Sequence, residues 1–306
     1  MNPDTRDSLP ITEKDNPRTR DLSSQSTRRI VELMNEEDAL VPAAVREVLD
    51  QVTAAVDGIV ARIQTGGRLF YIGTGTSGRL GVLDAAECPP TFGVPAELVQ
   101  GVIAGGYDAC YRAVEASEDD ADASQFDLKQ RGFKAGDALI GIAASGRTPY
   151  TVGALSFARA LGAFTVALTC VPDSAITRVA EVSIVPVVGP EVVTGSTRLK
   201  AGTAQKLVLN MISTATMVRL GYVSGNRMSN LMARNVKLRD RAERILATEV
   251  GLDRSTASAA IDAAGGDLRV ALVMTKSGAS REESETALQQ FNWRVEAAVR
   301  SLAAKS

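Results

Sequence analysis

Five short, nearly continuous apolar runs separated by helical stretches constrain this chain more than any other feature. They fall at Leu69–Gly73, Leu98–Ile103, Ala138–Ala143, Phe164–Thr169 and Val182–Val188. Strands that read as unbroken apolar runs, rather than alternating ones, are buried on both faces, the pattern of a parallel sheet with helices on each side. Between them the spacing predicts helices over Ser77–Ala86, Tyr107–Glu115, Asp120–Arg131 and Pro149–Leu161, the last with Thr148 as N-cap and Pro149 at the first helical position. A helix over Pro42–Gln64, with Val45, Val48, Leu49, Val52, Val56, Ile59, Val60 and Ile63 on one face, precedes the sheet. Another over Lys200–Leu220, with Leu207, Val208, Met211, Ile212, Ala215 and Val218 on one face, closes it. The fold class is doubly wound α/β with a mainly parallel sheet.

The first ~25 residues are polar and aperiodic and read as a tail. Past Gly225 only helical segments are expected, near Ser229–Ala247, Ser255–Ala264, Leu268–Thr275 and Arg281–Ala303. The expected organisation is therefore a tail and helical arm over 1–57, the sheet domain over 58–223 and a small all-helical C-terminal region over 224–306.

Composition removes several function classes. Lys+Arg 34 against Asp+Glu 36 leaves a formal charge of -2, which offers no electrostatic footprint for nucleic acid or an anionic membrane surface. Histidine is absent from all 306 residues, so no Ser-His or Cys-His dyad can form and no imidazole can hold a metal. The three cysteines, Cys88, Cys110 and Cys170, lie far apart and form neither a zinc ribbon nor a disulfide framework. No apolar run is long enough for a bilayer, and Met1 to Arg20 lacks a secretory signal's hydrophobic stretch, so a cytoplasmic protein is expected. Acid/base chemistry at neutral pH falls to carboxylates, Lys, Tyr, Cys or water.

A strand–turn–helix signal occurs twice, as Leu69-Phe70-Tyr71-Ile72-Gly73-Thr74-Gly75-Thr76-Ser77-Gly78-Arg79 and as Leu139-Ile140-Gly141-Ile142-Ala143-Ala144-Ser145-Gly146-Arg147-Thr148. Both turns end in Ser-Gly-Arg. A helix N-terminus offers unpaired N–H groups and a positive dipole end, glycines let the backbone close on an anion, and hydroxyls add donors. Gly73, Gly75 and Gly78 also fit a dinucleotide fingerprint. The acidic residue that reading requires should fall near Leu98–Gln100, and none is there.

The carboxylates nearest these turns in sequence are Glu87, followed by Cys88-Pro89-Pro90, and the cluster Glu115, Glu118, Asp119 and Asp120. The prolines are expected to end the helix and to present Glu87 in a constrained loop. On composition alone, surface solvation is the favoured reading of any one acid in such a cluster, and composition does not pick a catalytic pair.

The segment from Tyr71 to Gly93, containing Gly73-Thr74-Gly75-Thr76-Ser77-Gly78-Arg79-Leu80-Gly81 and Ala85-Ala86-Glu87-Cys88-Pro89-Pro90-Thr91, resembles the signature of bacterial N-acetylmuramic acid 6-phosphate etherases, members of the sugar isomerase (SIS) fold. The resemblance continues through Ala104-Gly105-Gly106, Ala113-Val114-Glu115, Ser145-Gly146-Arg147-Thr148-Pro149-Tyr150, Thr194–Lys200 and Asn235–Leu238. It implies cleavage of a lactyl ether to N-acetylglucosamine 6-phosphate and D-lactate, without metal or cofactor, in a homodimer whose site lies near the subunit interface. The family's proton-donating glutamate matches Glu87, and its second catalytic acid matches Glu118. A family stretch reading Glu-Gly-Ala-Glu-Asp here reads Glu115-Ala116-Ser117-Glu118-Asp119, a change that leaves both glutamates in place. Thr76, Ser77, Glu115, Ser145, Gly146 and Thr148 are the expected phosphosugar ligands, with Arg79, Arg147, Arg198 and Lys200 as charge partners or structural residues. Thr194–Lys200 is a candidate to reach a neighbouring subunit's site.

β-Elimination suits a chain without histidine, because it needs a base at C2 of the ring-opened sugar and an acid at the departing oxygen. A glutamate must then hold a proton near neutrality, raised by burial or by neighbouring acids. Glu118 as base and Glu87 as acid satisfy the chemistry, as does the reverse. The rival is a non-catalytic phosphosugar-binding regulator of the same fold.

Overall fold

The computed structural model describes residues 9–112, 118–233 and 235–304. They form two compact units, Met1–Glu87 with Ala96–Ser213, and Cys88–Pro95 with Thr214–Ser306.

In the first unit, β1 (Leu69–Gly73), β2 (Val99–Ile103), β3 (Ala138–Ile142), β4 (Phe164–Leu168) and β5 (Val182–Ile184) make one sheet in the order β2-β1-β3-β4-β5. Every pairing is parallel. The five expected strands are all present, with β5 ending at Ile184 rather than Val188. All residues of β1 and β3 are buried, as a sheet covered on both faces requires. On one face Phe70, Ile72, Val102 and Leu139 pack with Ala154, Leu155 and Ala158 of α6 (Pro149–Leu161).

Three departures from the sequence reading matter. The helix expected over Pro42–Gln64 is two, α2 (Val41–Arg46) and α3 (Leu49–Gln64), because the backbone leaves the helical region at Val48, with φ of -114° and ψ of 15°. The N-terminal stretch is not a loose tail. Its polar residues fold into short 3-10 turns in which Thr12, Asn16 and Thr19 are buried, and α1 (Thr27–Asp38) follows with Ser26 capping it. Asn16 and Thr19 donate to the carbonyls of Pro190 and Val192, so hydrogen bonding holds a segment that lacks apolar period.

The third departure concerns α4 (Gly75–Phe92), which runs through Pro89 and Pro90 instead of stopping before them. Proline φ suits a helix, and what is lost is the N–H that would have bonded the carbonyls of Ala85 and Ala86. Glu87 therefore sits on an exposed helical face, not in a constrained loop. Of the helix expected over Tyr107–Glu115, residues Tyr107–Cys110 form a 3-10 turn, and Glu115 lies outside the described residues. The helix expected over Asp120–Arg131 is α5 (Ala121–Gln130), capped by Asp120. A short helix, α7 (Ala175–Val179), precedes β5.

The last helix of the sheet unit is α8 (Lys200–Arg219). The burial pattern rotates its inward face away from the expected one. Ala201, Ala204, Gln205, Val208, Leu209, Ile212 and Ser213 are buried, whereas Met211 is exposed. Polar residues share the buried face because they have partners there. Asn210 and Ser213 donate to Asp84, which also accepts from the Tyr71 hydroxyl.

The second unit packs α9 (Val236–Val250), α10 (Arg254–Ala263), α11 (Leu268–Ser277), α12 (Arg281–Gln290) and α13 (Val295–Ala303) around Leu246, Ile261, Leu272 and Leu288. The helix expected over Arg281–Ala303 is broken where Asn292 and Trp293 adopt φ of 52° and 60°. Past Gly225 a strand also appears. β6 (Val223–Ser224) pairs antiparallel with β7 (Arg227–Met228), so this region is helical but not all-helical.

Candidate active site

In a doubly wound sheet the ligand crevice opens at the carboxyl ends of the strands, where strand order reverses. Here the reversal lies between β1 and β3, and Gly73 is in register with Ile142. The two Ser-Gly-Arg turns follow these adjacent strand ends. α4 and α6 begin just after these strand ends, so each presents the positive end of its dipole at the carboxyl edge of the sheet.

The second turn is built from beneath. Gly146 has φ of 67°, and a Cβ there would lie 2.2 Å from Ser174 Oγ. Its carbonyl accepts from Ile176 N–H at 3.0 Å, and the Ala144 carbonyl accepts from Thr169 Oγ1 at 3.1 Å. Thr148 occupies the N-cap position of α6, but its side chain makes no capping hydrogen bond.

Glu118 joins the two turns. Its carboxylate Oε1 stands 3.3 Å from where a Cβ on Gly75 would project, and Gly75 itself has φ of 49°. Its carbonyl accepts from the Tyr150 N–H at 3.1 Å, in the first turn of α6. The side chain is thus over the first turn while the backbone is tied to the helix after the second. Tyr150 is anchored in turn by donating its hydroxyl to Asp127 at 2.6 Å. Burial, reinforced by that carboxylate, pushes the phenol well above its ordinary range.

Glu87 is elsewhere. It lies on α4 twelve residues beyond Gly75. A helix rises 1.5 Å per residue, so Glu87 is ~18 Å from the helix start where the Glu118 carboxylate stands. Within one chain the two glutamates are not brought together. Leu83, one turn before Glu87 on the same face, is 57% exposed.

The basic candidates divide. Arg79 donates to the carbonyls of Ala109, Cys110 and Arg112, fixing the backbone that leads to the acidic cluster. Lys200 is buried and paired with Glu37 of α1 at 2.5 Å. Glu191 accepts from the N–H groups of Lys200 and Ala201, capping α8, and burial raises its pKa above the usual carboxylate value. Arg147 and Arg198 are exposed. Thr194–Lys200 runs against the chain's own N-terminal segment, where Thr194 donates to Asp15 at 3.1 Å.

The sequence reading missed the part played by α8. Gln205, fully buried, accepts from Ser77 Oγ at 3.0 Å, and a Cβ on Gly202 would lie 3.5 Å from the Thr76 methyl. A glutamine at a position of the inward helical period was the available signal.

Over 279 residues the chain is 50% identical to N-acetylmuramic acid 6-phosphate etherase of Brucella anthropi, covering 91% of both chains. Over 289 residues it is 51% identical to the Serratia proteamaculans protein of the same name, covering 94% of this chain and 97% of the relative. The chain belongs to the N-acetylmuramic acid 6-phosphate etherase family. In this etherase-family chain, residues 51–159 also match the model of the glucokinase regulatory protein N-terminal SIS domain, a span containing both turns. A Bacteroides fragilis protein described as a phosphosugar isomerase involved in capsule formation shares the fold, with a TM-score of 0.50, 21% identity, and coverage of 66% of this chain and 95% of that one. Among the described residues no helix is long and apolar enough to cross a membrane.

Proposed function

We propose that the protein cleaves the lactyl ether of N-acetylmuramic acid 6-phosphate, giving N-acetylglucosamine 6-phosphate and D-lactate, in the cytoplasmic recycling of cell-wall amino sugars. The observation that carries this reading is the placement of Glu118, a carboxylate held at the junction of two anion-binding turns. Ser145, Gly146 and Thr148 hold the phosphate with Thr76 and Ser77, and Glu115 takes a sugar hydroxyl. Helix N-termini and hydroxyl donors suit a phosphate dianion without a metal ion.

The reaction proceeds from the ring-opened sugar. The Glu118 carboxylate takes the C2 proton, which is acidic because it lies α to the aldehyde. The electron pair forms the C2–C3 double bond as the C3–oxygen bond breaks, and the departing lactate oxygen takes a proton from the Glu87 carboxyl group. Glu87, now ionised, takes a proton from water, whose oxygen adds to C3 while Glu118 returns a proton to C2. The two glutamates act in opposite protonation states, which acid/base catalysis at adjacent carbons requires.

This chemistry needs Glu87 within one sugar ring of Glu118, and a second copy of the chain supplies it. Two observations support a homodimer joined along this face of α4: the ~18 Å of helix between Gly75 and Glu87, and the exposed Leu83 beside Glu87. In a two-fold dimer each copy would donate its Glu87 to the other's turns.

The match to a regulatory protein's SIS domain favours a second reading, phosphosugar binding without turnover. One assay separates the two. Purified protein incubated with N-acetylmuramic acid 6-phosphate is expected to release D-lactate; binding of the sugar by folded protein with no lactate would overturn the etherase reading.

A further inference from the structure

Gln205 carries an unfinished hydrogen-bond set. It lies on the inward face of α8 at 1% exposure, and its Oε1 accepts from Ser77 Oγ at 3.0 Å. Its Nε2 is buried, with no hydrogen-bond partner among the described residues. Buried amide groups are paired in nearly all folded proteins, and an orphaned one is costly. Turning the amide over would only exchange the orphan, leaving Oε1 as the buried atom without a partner. One turn earlier Gly202 lies beside Thr76, where an added Cβ would be in ordinary contact with the Thr76 methyl, so this face of α8 packs on the first Ser-Gly-Arg turn.

Ser77 acquires a direction from this contact. With its hydroxyl proton on Gln205, Ser77 has its backbone N–H to offer the phosphate. Gln205 Nε2 keeps two N–H bonds that no described residue accepts.

We propose that Gln205 is a substrate ligand whose Nε2 donates to an anionic oxygen of the bound sugar. The inference rests on the phosphosugar reading above and extends it to a residue of the closing helix. A neutral amide fixed by Ser77 supplies direction without charge, which makes it selective for an oxygen at one place. That oxygen belongs to the phosphate or to the lactyl carboxylate, the two anionic groups of the substrate.

The test is calorimetric titration of wild-type protein and two variants with N-acetylglucosamine 6-phosphate, which has only the phosphate, and with N-acetylmuramic acid, which has only the carboxylate. Gln205→Glu keeps an acceptor for Ser77 and replaces the donor by a negative oxygen; Gln205→Met keeps the volume and removes all hydrogen bonding. Thermal melting checks that each is folded, and either folded variant suffices. A hydrogen bond to a charged group predicts a loss of affinity of about tenfold or more for one of the two ligands, larger in Gln205→Glu. The ligand that loses most identifies the oxygen. Affinities within about twofold of wild type for both ligands, with wild type binding at least one, would mean that Gln205 only supports Ser77 and would overturn the proposal. Wild-type protein that binds neither overturns the phosphosugar reading, and this inference with it.

Discussion

The Glu118 carboxylate stands over Gly75, its Oε1 3.3 Å from where a Cβ would project, while Gly75 holds a left-handed φ of 49°. Both facts disfavour a side chain at this position, for different reasons. Gly75→Ala pays a backbone cost of about 1 kcal/mol and pushes the carboxylate off the turn. The variant is expected to fold, to lose that much stability in urea, and to release lactate at least about tenfold more slowly. Wild-type turnover in Gly75→Ala would remove Glu118 from the reaction.

The buried Lys200–Glu37 pair ties α1 to the start of α8, and Arg18 adds a second cation to Glu37 at 2.9 Å. Removing Lys200 leaves the buried Glu37 carboxylate with the half-exposed Arg18 as its cation, which costs up to about 3–5 kcal/mol. Lys200→Met is expected to show a loss of that size in urea denaturation. Combining it with Glu37→Leu should recover most of it, since the apolar pair needs no compensation. Equal losses in the single and double variants would contradict the assignment.

Burial pushes the Cys170 thiol up to about 12, with the Glu191 carboxylate adding to the effect. The thiolate is the reactive form, so at pH 8 Cys170 is almost entirely protonated as well as inaccessible. Native protein treated with maleimide at pH 8 is expected to leave Cys170 unlabelled by mass spectrometry until denaturant is added. Labelling of Cys170 at the rate of the half-buried Cys110 would contradict this.

If each site draws Glu87 from the other copy, Glu87→Gln and Glu118→Gln are each inactive alone yet rescue one another. In a mixed dimer one site carries both substitutions and the other carries none. Random mixing on co-expression is expected to restore about a quarter of wild-type lactate release per dimer. Phosphosugar binding should survive in both single variants. A mixture as inactive as its parents would place both glutamates on one chain.

The sheet was legible because strands buried on both faces write an unbroken apolar run, and β1 and β3 do so without exception. The two turns were legible because each needs glycine and hydroxyls at fixed offsets. Elements held by polar contacts were harder to read. Asn16 and Thr19 are buried through hydrogen bonds that leave no period, and the inward face of α8 includes the polar Gln205 and Ser213, so an apolar count turned it toward Met211. Asn292 and Trp293 break a helix through left-handed backbone that their side chains do not advertise. The position of Glu87 was misread for another reason. Two prolines usually end a helix, yet α4 absorbs both and carries the glutamate on an exposed face.

Elimination and readdition differ from direct displacement at one atom. Turnover of N-acetylmuramic acid 6-phosphate in deuterium oxide, followed by NMR of the N-acetylglucosamine 6-phosphate formed, reads that atom. The glutamate mechanism predicts one deuteron at C2 of every product molecule, because the proton taken there exchanges with solvent before one is returned. Product that retains the original C2 proton would contradict it.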